Sequence, residues 1–351
     1  LGLFILRRTG VMVLTALCLT FIVFFLTNLY PNLEKLAKTQ GNFRMSDEAV
    51  ASWLDNNGYS GPMLFRYGEW LGVTPGWTRD AAEGKVRGRC IDGDVLPEVA
   101  AEAPAYCGII QGYWGRSTVF KEPVAGIIGE KLGLTGVLMF WVLVLMVPTA
   151  LIVGVLAGMR EGSALDRGLS TFSIITTATP EYVSGVIFIA VFASSAVGLK
   201  WFKGTATSAM SQPTFENFFL PVLTIALYGM GYIARMTRAS MTEVMTAQYI
   251  RTARLKGVSF GNIVLKHALR NALIAPFTVI MLQFPWLLNG VVIVETLFNY
   301  KGFGWTLVQA ASNNDIDLLL AVSVVSVAVV LVTQLISDIG YVYLNPRIRL
   351  S

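Results

Sequence analysis

The sequence predicts an all-α polytopic membrane protein with six transmembrane helices, on two observations. First, the 351 residues are 54% hydrophobic and only 14% charged, against roughly 25% charged in average soluble domains. The mean hydropathy is +0.60. Second, the few charges are confined to particular stretches, and the intervals between them are apolar runs of roughly 18 to 28 residues, the length that crosses about 30 Å of hydrocarbon. An ordinary soluble enzyme is excluded. The net charge of +5 and pI near 9.1 could suit nucleic acid, but no basic run is interleaved with aromatics. Membrane orientation accounts for the excess better, and no nucleic-acid partner is expected.

The charge-free windows run from Gly10 to Tyr30, Leu132 to Met159, Gly168 to Leu199 (interrupted once by Glu181), Asn217 to Ala234, Asn271 to Val294, and Leu318 to Ser337. Each can span as a helix, because in lipid every backbone polar group must be satisfied within the segment. The first window is expected to remain as a signal anchor, since it exceeds an ordinary signal-peptide core and meets Thr27-Asn28-Leu29-Tyr30-Pro31 without a small-x-small site. Orientation follows from the short connections, where Lys and Arg mark the cytoplasmic side. Arg7 and Arg8 precede span one, Arg160 and Arg167 join spans two and three, and Arg347 and Arg349 follow span six. Between spans four and five lie Arg235, Arg238, Arg251, Arg254, Lys256, Lys266 and Arg270, against the acid Glu243. Both termini and that loop are therefore expected in the cytoplasm.

The organisation that follows is a cytoplasmic N-terminus and first span over 1–30, and an external segment over 31–131. A core of spans two to six occupies 132–341 with a cytoplasmic loop at 235–276, and a cytoplasmic tail covers 342–351. The external segment carries Cys90 and Cys107. In an oxidising compartment two cysteines in one small loop are most simply a disulfide, closing about 18 residues and contributing roughly 3 kcal/mol in the chain-entropy model. The alternative is two free thiols. A metal site is poorly supported, because His267, the one histidine, falls on the other side of the membrane.

Several chemistries are missing from the sequence. There is no Gly-x-x-x-x-Gly-Lys-Ser/Thr phosphate loop, so ATP is not bound by that device, and any energy must come from a partner. HExxH is also absent, and no GxSxG stands on a recognisable scaffold: Gly257-Val258-Ser259-Phe260-Gly261 has the spacing but follows a basic helix-forming stretch and not a strand. Neither a catalytic residue nor a metal ligand is expected in this chain.

The stretch Gln248 to Pro276, QYIRTARLKGVSFGNIVLKHALRNALIAP, is the most informative. It reads as two short helices about a sharp turn: Tyr249 to Lys256 is helix-forming, Gly257 suits a left-handed C-terminal position, and Ser259 can cap the next helix. Ala253, flanked by Arg251, Arg254 and Lys256, is expected to present a small surface that another protein can approach closely. The competing reading is a basic helix lying on anionic lipid.

The order TAR-x-KG followed by HALRNAL-x-x-P resembles the cytoplasmic coupling (EAA) loop of ABC importer permeases, in the form used by the dipeptide/oligopeptide/nickel family. Arg251, Thr252 and Ala253 stand where the general consensus has Glu-Ala-Ala, and Gly257 occupies its glycine. The resemblance covers nearly the whole chain. FILRR leads into span one as in the first of the two permease subunits of such importers. LPVLTIALYGMGYIARMTRASMTEVMTAQYIRTARLKG matches a Pro-led span with an Arg-x-x-Arg exit, LNGVVIVETLFNYKGFGWTLVQAASNNDIDLL resembles the turn between spans five and six, and YVYLNPRIR resembles the closing DPRIR. Two departures are Lys301-Gly302-Phe303-Gly304 in place of Pro-Gly-Leu-Gly, and Asn345 in place of Asp. The segment from about 78 to 111 looks like an insertion between LFRYGEWLG and GYWGRS; it would form an external lobe against a solute-binding protein or the translocation mouth, or a loop with no contact.

The resemblance implies a type I ABC importer permease in the bacterial inner membrane, working by alternating access. Its partners would be a second homologous permease, two ATP-binding subunits and a periplasmic solute-binding protein. ATP and Mg would bind in the partner ATPases, with no cofactor in this chain. Arg251, Thr252, Ala253, Arg254, Lys256 and Gly257 would couple ATPase motion to the spans. The substrate path would run between the two permeases, with Glu181 and Tyr182 as candidates. An ionisable group in hydrocarbon costs at least about 2.5–3.5 kcal/mol, so Glu181 should face a water-filled cavity or a partner at the Thr179-Pro180 kink. Glu295 and Asp338 are expected to satisfy helix termini, and Phe140 and Trp141 to face lipid. Peptide is the leading cargo; a nickel chelate, opine, glutathione or oligosaccharide is the alternative within the class, and an ATPase-independent channel or secondary transporter the alternative outside it.

Overall fold

The structure is a computed structural model that describes residues 2–195 and 199–344. The closing motif, with Asn345, Arg347 and Arg349, lies outside the described residues. The chain is predominantly helical. Four helices are long and apolar enough to cross a membrane alone: Leu6–Thr27 within α1 (Gly2–Thr27), α6 (Val124–Gly158), α9 (Phe215–Met245), and Ile316–Gly340 within α15 (Ile316–Leu344). Two bent pairs bring the total to six if each pair is one span.

The first pair falls in the expected third span and breaks it sharply. Helix α7 (Ala164–Ala178) and the stretch Glu181–Ala193, which begins with α8 (Glu181–Phe188), meet at 103°. The cause lies in Thr179-Pro180. Proline disfavours the helical region for the residue before it, and Thr179 is extended at φ −91°, ψ 118°. The second pair, Phe260–Ala272 with Ile274–Gln283, bends by 50° at the entrance to the fifth span. A correction concerns the loop boundary at 235. Helix α9 continues through Arg235 and Arg238 to Met245, because a charge ends an apolar window without ending a hydrogen-bonded helix.

The chain divides into two compact units. One comprises the residues up to Arg8, Lys131–Trp305, and Val329 onward. Its centre is α9, with 72% of its apolar window buried. Close packing on α9 depends on small residues. A side-chain carbon at Gly154 of α6 would stand 2.6 Å from the Ala234 carbonyl oxygen, and one at Gly231 of α9 would stand 2.6 Å from that of Ser173 in α7. Leu138, Val142 and Met146 of α6, Ile225 and Ile233 of α9, and Leu287 and Val291 of α13 (Ile274–Leu297) fill the core. Asn217, near the start of α9, is pinned by accepting the Thr214 N–H at 2.8 Å and donating to Ser208 Oγ at 3.0 Å.

The other unit comprises Thr9–Glu130 and Thr306–Ala328. Here α2 (Tyr30–Gln40), α3 (Asp47–Asn56) and α4 (Met63–Leu71) bury Leu33, Leu36, Val50, Leu54 and Trp70 together with Phe24, Ile316 and Leu320. Ser46 caps α3 through the Ala49 N–H, and Arg66 donates to Asn28. A two-stranded antiparallel hairpin, β1 (Thr78–Asp80) and β2 (Val86–Gly88), precedes the short helix α5 (Pro97–Ala101). Cys90 and Cys107 form a disulfide.

Candidate functional site

The basic stretch after α9 folds as α10 (Gln248–Leu255), a turn, α11 (Phe260–Asn262), a π-helical segment Ile263–Ala268 and α12 (Leu269–Ala272). Gly257 takes φ +74° in that turn, the left-handed conformation that a side chain disfavours. Ser259 occupies the cap position of α11 but its hydroxyl makes no capping bond; only its carbonyl accepts, from Ile263 N–H at 3.0 Å.

Helix α10 is amphipathic, and its apolar face turns inward. Ile250 and Ala253 are one turn apart and both are buried, in a cluster with Met241 and Met245 of α9 and with Ile263, Val264, Ala268 and Ala272. This corrects the expectation that Ala253 presents a small surface to another protein: it is 7% exposed and supports α10 from beneath. The outer face consists of Arg251, Thr252, Arg254, Leu255 and Lys256, all exposed. Leu255, 83% exposed, is the residue sequence reasoning missed. At about 100° per residue it lies about 140° from Ile250, so a helical wheel was the signal that could have found it.

Side bonds hold this loop to the spans. The Asn271 amide donates to Tyr249 Oη at 3.0 Å, Ser240 of α9 donates to the Ala272 carbonyl at 2.8 Å, and the Arg160 guanidinium lies 5.3 Å from the centre of the Phe260 ring. Arg238, at the end of span four, makes two bonds to Asp166 in the first turn of α7, at 2.6 and 2.8 Å. Asp166 also accepts from the Gly162 N–H and the Ser170 hydroxyl. The turn between spans two and three is thereby tied to the exit of span four.

Glu181 begins α8 and is 9% exposed, whereas its neighbour Tyr182 is 54% exposed. A carboxylate in the first turn of a helix meets the positive end of the helix dipole. An open groove between α9 and α13 is lined by Met236, Ser240, Glu243, Asn271, Thr278 and Leu282 among others; neither Glu181 nor Tyr182 is among its lining residues.

Glu295, fully buried, accepts from the Thr135 hydroxyl and, at 2.9 Å, from the Trp305 N–H. It thus satisfies the first turn of α14 (Phe303–Ser312), the terminus-satisfying part expected of it. Gly302 lies against that carboxylate and Thr135, which explains the glycine retained in Lys301-Gly302-Phe303-Gly304. Lys301 lies over the Trp305 ring at 5.6 Å. Asp338 differs from expectation: it pairs with Arg8 at 2.6 Å, an ionic contact between the first and last helices instead of a cap. Phe140 and Trp141 are exposed at 59% and 48%. Among the described residues no three His, Cys, Asp or Glu side chains converge on a metal-sized space.

Broken and continuous apolar helices with a basic loop packed on its own hydrophobic cluster make this a polytopic helical membrane protein. The family model described as the inner membrane component of binding-protein-dependent transport systems matches residues 150–350, and the chain belongs to that family. Among its relatives are a probable peptide ABC transporter permease of Sinorhizobium fredii, 34% identical over 69% of this chain and 77% of its own length, and the oligopeptide transport system permease AppB of Bacillus subtilis, 35% identical over the same shares. A putative peptide transport system permease of Brucella abortus is 31% identical over 72% of this chain and 82% of its own. The protein is therefore a multi-pass inner membrane permease subunit of an ABC transporter, and not itself a catalyst.

Proposed function

We propose that this permease moves peptides across the inner membrane by alternating access, driven by ATP hydrolysed in partner subunits. The relatives named for peptide or oligopeptide transport support the cargo. The observation that carries the mechanism is the outward face of α10, where Arg251, Thr252, Arg254, Leu255 and Lys256 stand free on a helix whose inner face is bonded and packed to spans four and five. An exposed leucine amid cations fits a protein groove with an apolar floor and an acidic rim. Force applied there would pass to α9 and α13 through the buried cluster and the Ser240–Ala272 and Tyr249–Asn271 hydrogen bonds.

In this reading the assembly holds a second homologous permease, two ATP-binding subunits and a periplasmic solute-binding protein. ATP and Mg are bound by the ATPases, and this chain takes no cofactor. Both termini and the α10 loop face the cytoplasm, a reading supported by the arginine distribution, and the disulfide-bearing segment faces the periplasm. Glu181 and Tyr182, just after the break in the third span, flank the path between the permeases.

Uptake of a labelled peptide by cells expressing the importer tests this. Uptake that requires ATP and stops when this chain is deleted supports it; unchanged uptake on deletion overturns it. Glu181→Gln should shift the preference between free and N-acetylated peptides if its carboxylate meets the peptide amine; an unaltered preference removes Glu181 from the path.

A further inference from the structure

The unit formed by Thr9–Glu130 and Thr306–Ala328 holds a half-open cavity of about 210 Å³. Six of its lining residues are aromatic, among them Trp53, Tyr59, Trp70, Trp77 and Tyr113. Four charged residues also line it: Arg66, Arg89, Glu69 and Asp317. The cavity is more polar than most small-molecule sites, which are chiefly apolar with a few placed polar groups, and charges of both signs converging beside aromatic faces suit a small charged ligand.

The charges are not equivalent. Arg66 is part of the wall, since it is 8% exposed, donates to Asn28, and lies 5.3 Å from the Tyr59 ring centre and 5.9 Å from that of Phe24. Arg89 is held from behind, with Nε donating to the Cys107 carbonyl at 3.2 Å and the guanidinium 5.8 Å from the Tyr113 ring centre. The Cys90–Cys107 disulfide fixes both residues that set this pose, because Arg89 immediately precedes Cys90. Among the described residues neither Arg89, Glu69 nor Asp317 enters a salt bridge. A cation and two carboxylates therefore share one cavity without pairing with each other. Burial raises the Glu69 pKa against the opposing charges of Arg89, Arg66 and Arg79, and burial with the charge of Asp317 raises that of the Tyr59 phenol; Asp317 accepts the Arg116 backbone N–H and feels the charge of Arg89.

We propose that this cavity binds a small zwitterion carrying an amine and a carboxylate, with Arg89 taking the carboxylate and Asp317 and Glu69 the ammonium against the indole faces. Arginine matches a carboxylate in a two-bond fork, and indole faces attract an ammonium. The volume is below the roughly 300–1,000 Å³ of sites for drug-sized ligands, so the occupant is the size of one amino acid. That chemistry has two sources, a free amino acid or the terminal residue of a short peptide. The site is separate from the groove between α9 and α13, and it gives the inserted hairpin and disulfide a function.

The test is calorimetric titration of the full chain in lipid nanodiscs, followed in parallel by tryptophan fluorescence, with L-leucine, leucine amide, N-acetyl-leucine, N-acetyl-leucine amide and leucyl-leucine. Leucine is expected to bind saturably, each singly blocked form roughly tenfold or more weaker, and the doubly blocked form not at all. Arg89→Met and Asp317→Asn should each weaken leucine roughly tenfold to hundredfold, while Arg87→Gln, which removes the exposed pair with Asp94 on the same hairpin, leaves it unchanged. Reduction of the disulfide should weaken binding by freeing Arg89. Leucyl-leucine binding as tightly as leucine assigns the site to peptide termini; binding of leucine alone assigns it to free amino acids. The proposal is overturned if no zwitterion binds saturably, or if N-acetyl-leucine amide binds as tightly as leucine. The blocked series needs no variant, so it decides even where a substitution prevents folding.

Discussion

Leu255 concentrates the coupling reading in one side chain. An apolar residue 83% exposed on a basic helix is available to a partner's groove, and fully burying a leucine side chain there contributes about 1.5–3 kcal/mol. Leu255→Glu is expected to leave membrane insertion and thermal stability unchanged while the ATPases dissociate in mild detergent, as read by their recovery with the tagged permease. Ala253→Trp should act differently, because Ala253 is packed against its own chain: overpacking of about 1–3 kcal/mol should lower the melting temperature before any effect on docking. Gly302→Ala should likewise lower it, since the added carbon collides with Glu295 and Thr135. Glu69 supplies a pH signature. Its pKa is raised by burial, so the folded lobe favours the protonated acid; this contribution is complete below the ordinary carboxylate pKa and lost as pH rises through the raised value. Glu69→Gln should therefore stabilise the lobe at neutral pH, with the gain vanishing below about pH 4, as read by thermal scans across pH.

At the scale of elements, the Asp166–Arg238 pair ties the first turn of α7 to the exit of α9. Its carboxylate is nearly buried, with 3% of the side chain exposed against 30% for Arg238. Asp166→Ala should cost roughly 1.5–3 kcal/mol and loosen the turn around Gly162, measurable as faster amide exchange at Gly162 and Ser163. The spans themselves were legible because charge-free windows and helix length obey the same hydrocarbon thickness. The 103° break was legible only as Thr179-Pro180, a proline signal without an angle. The true ends of α6 and α9 were hidden because hydrogen bonding carries a helix past the charges that end an apolar window. Within the loop, Gly257 was readable from its conformational preference. The inward turn of Ala253 was not, because flanking arginines mark a solvated helix without saying which face is solvated.

For the whole molecule, composition and loop charges identified a polytopic membrane protein, and the coupling-loop motif identified its family. The aromatic cavity was not legible, because Arg89, Tyr113 and Asp317 come together only through the hairpin, the disulfide and the start of α15. Long-range placement of this kind leaves no local pattern. In the proposed assembly the chain is one part of a larger machine, in which α10 transmits motion generated elsewhere. The central claim is best tested by purifying the tagged chain from its native membrane in mild detergent and determining the identity and stoichiometry of what accompanies it. The account predicts a second permease and phosphate-loop ATPases, with the ATPases lost from Leu255→Glu. A homo-oligomer without any ATPase, under conditions that keep other importers intact, would contradict it.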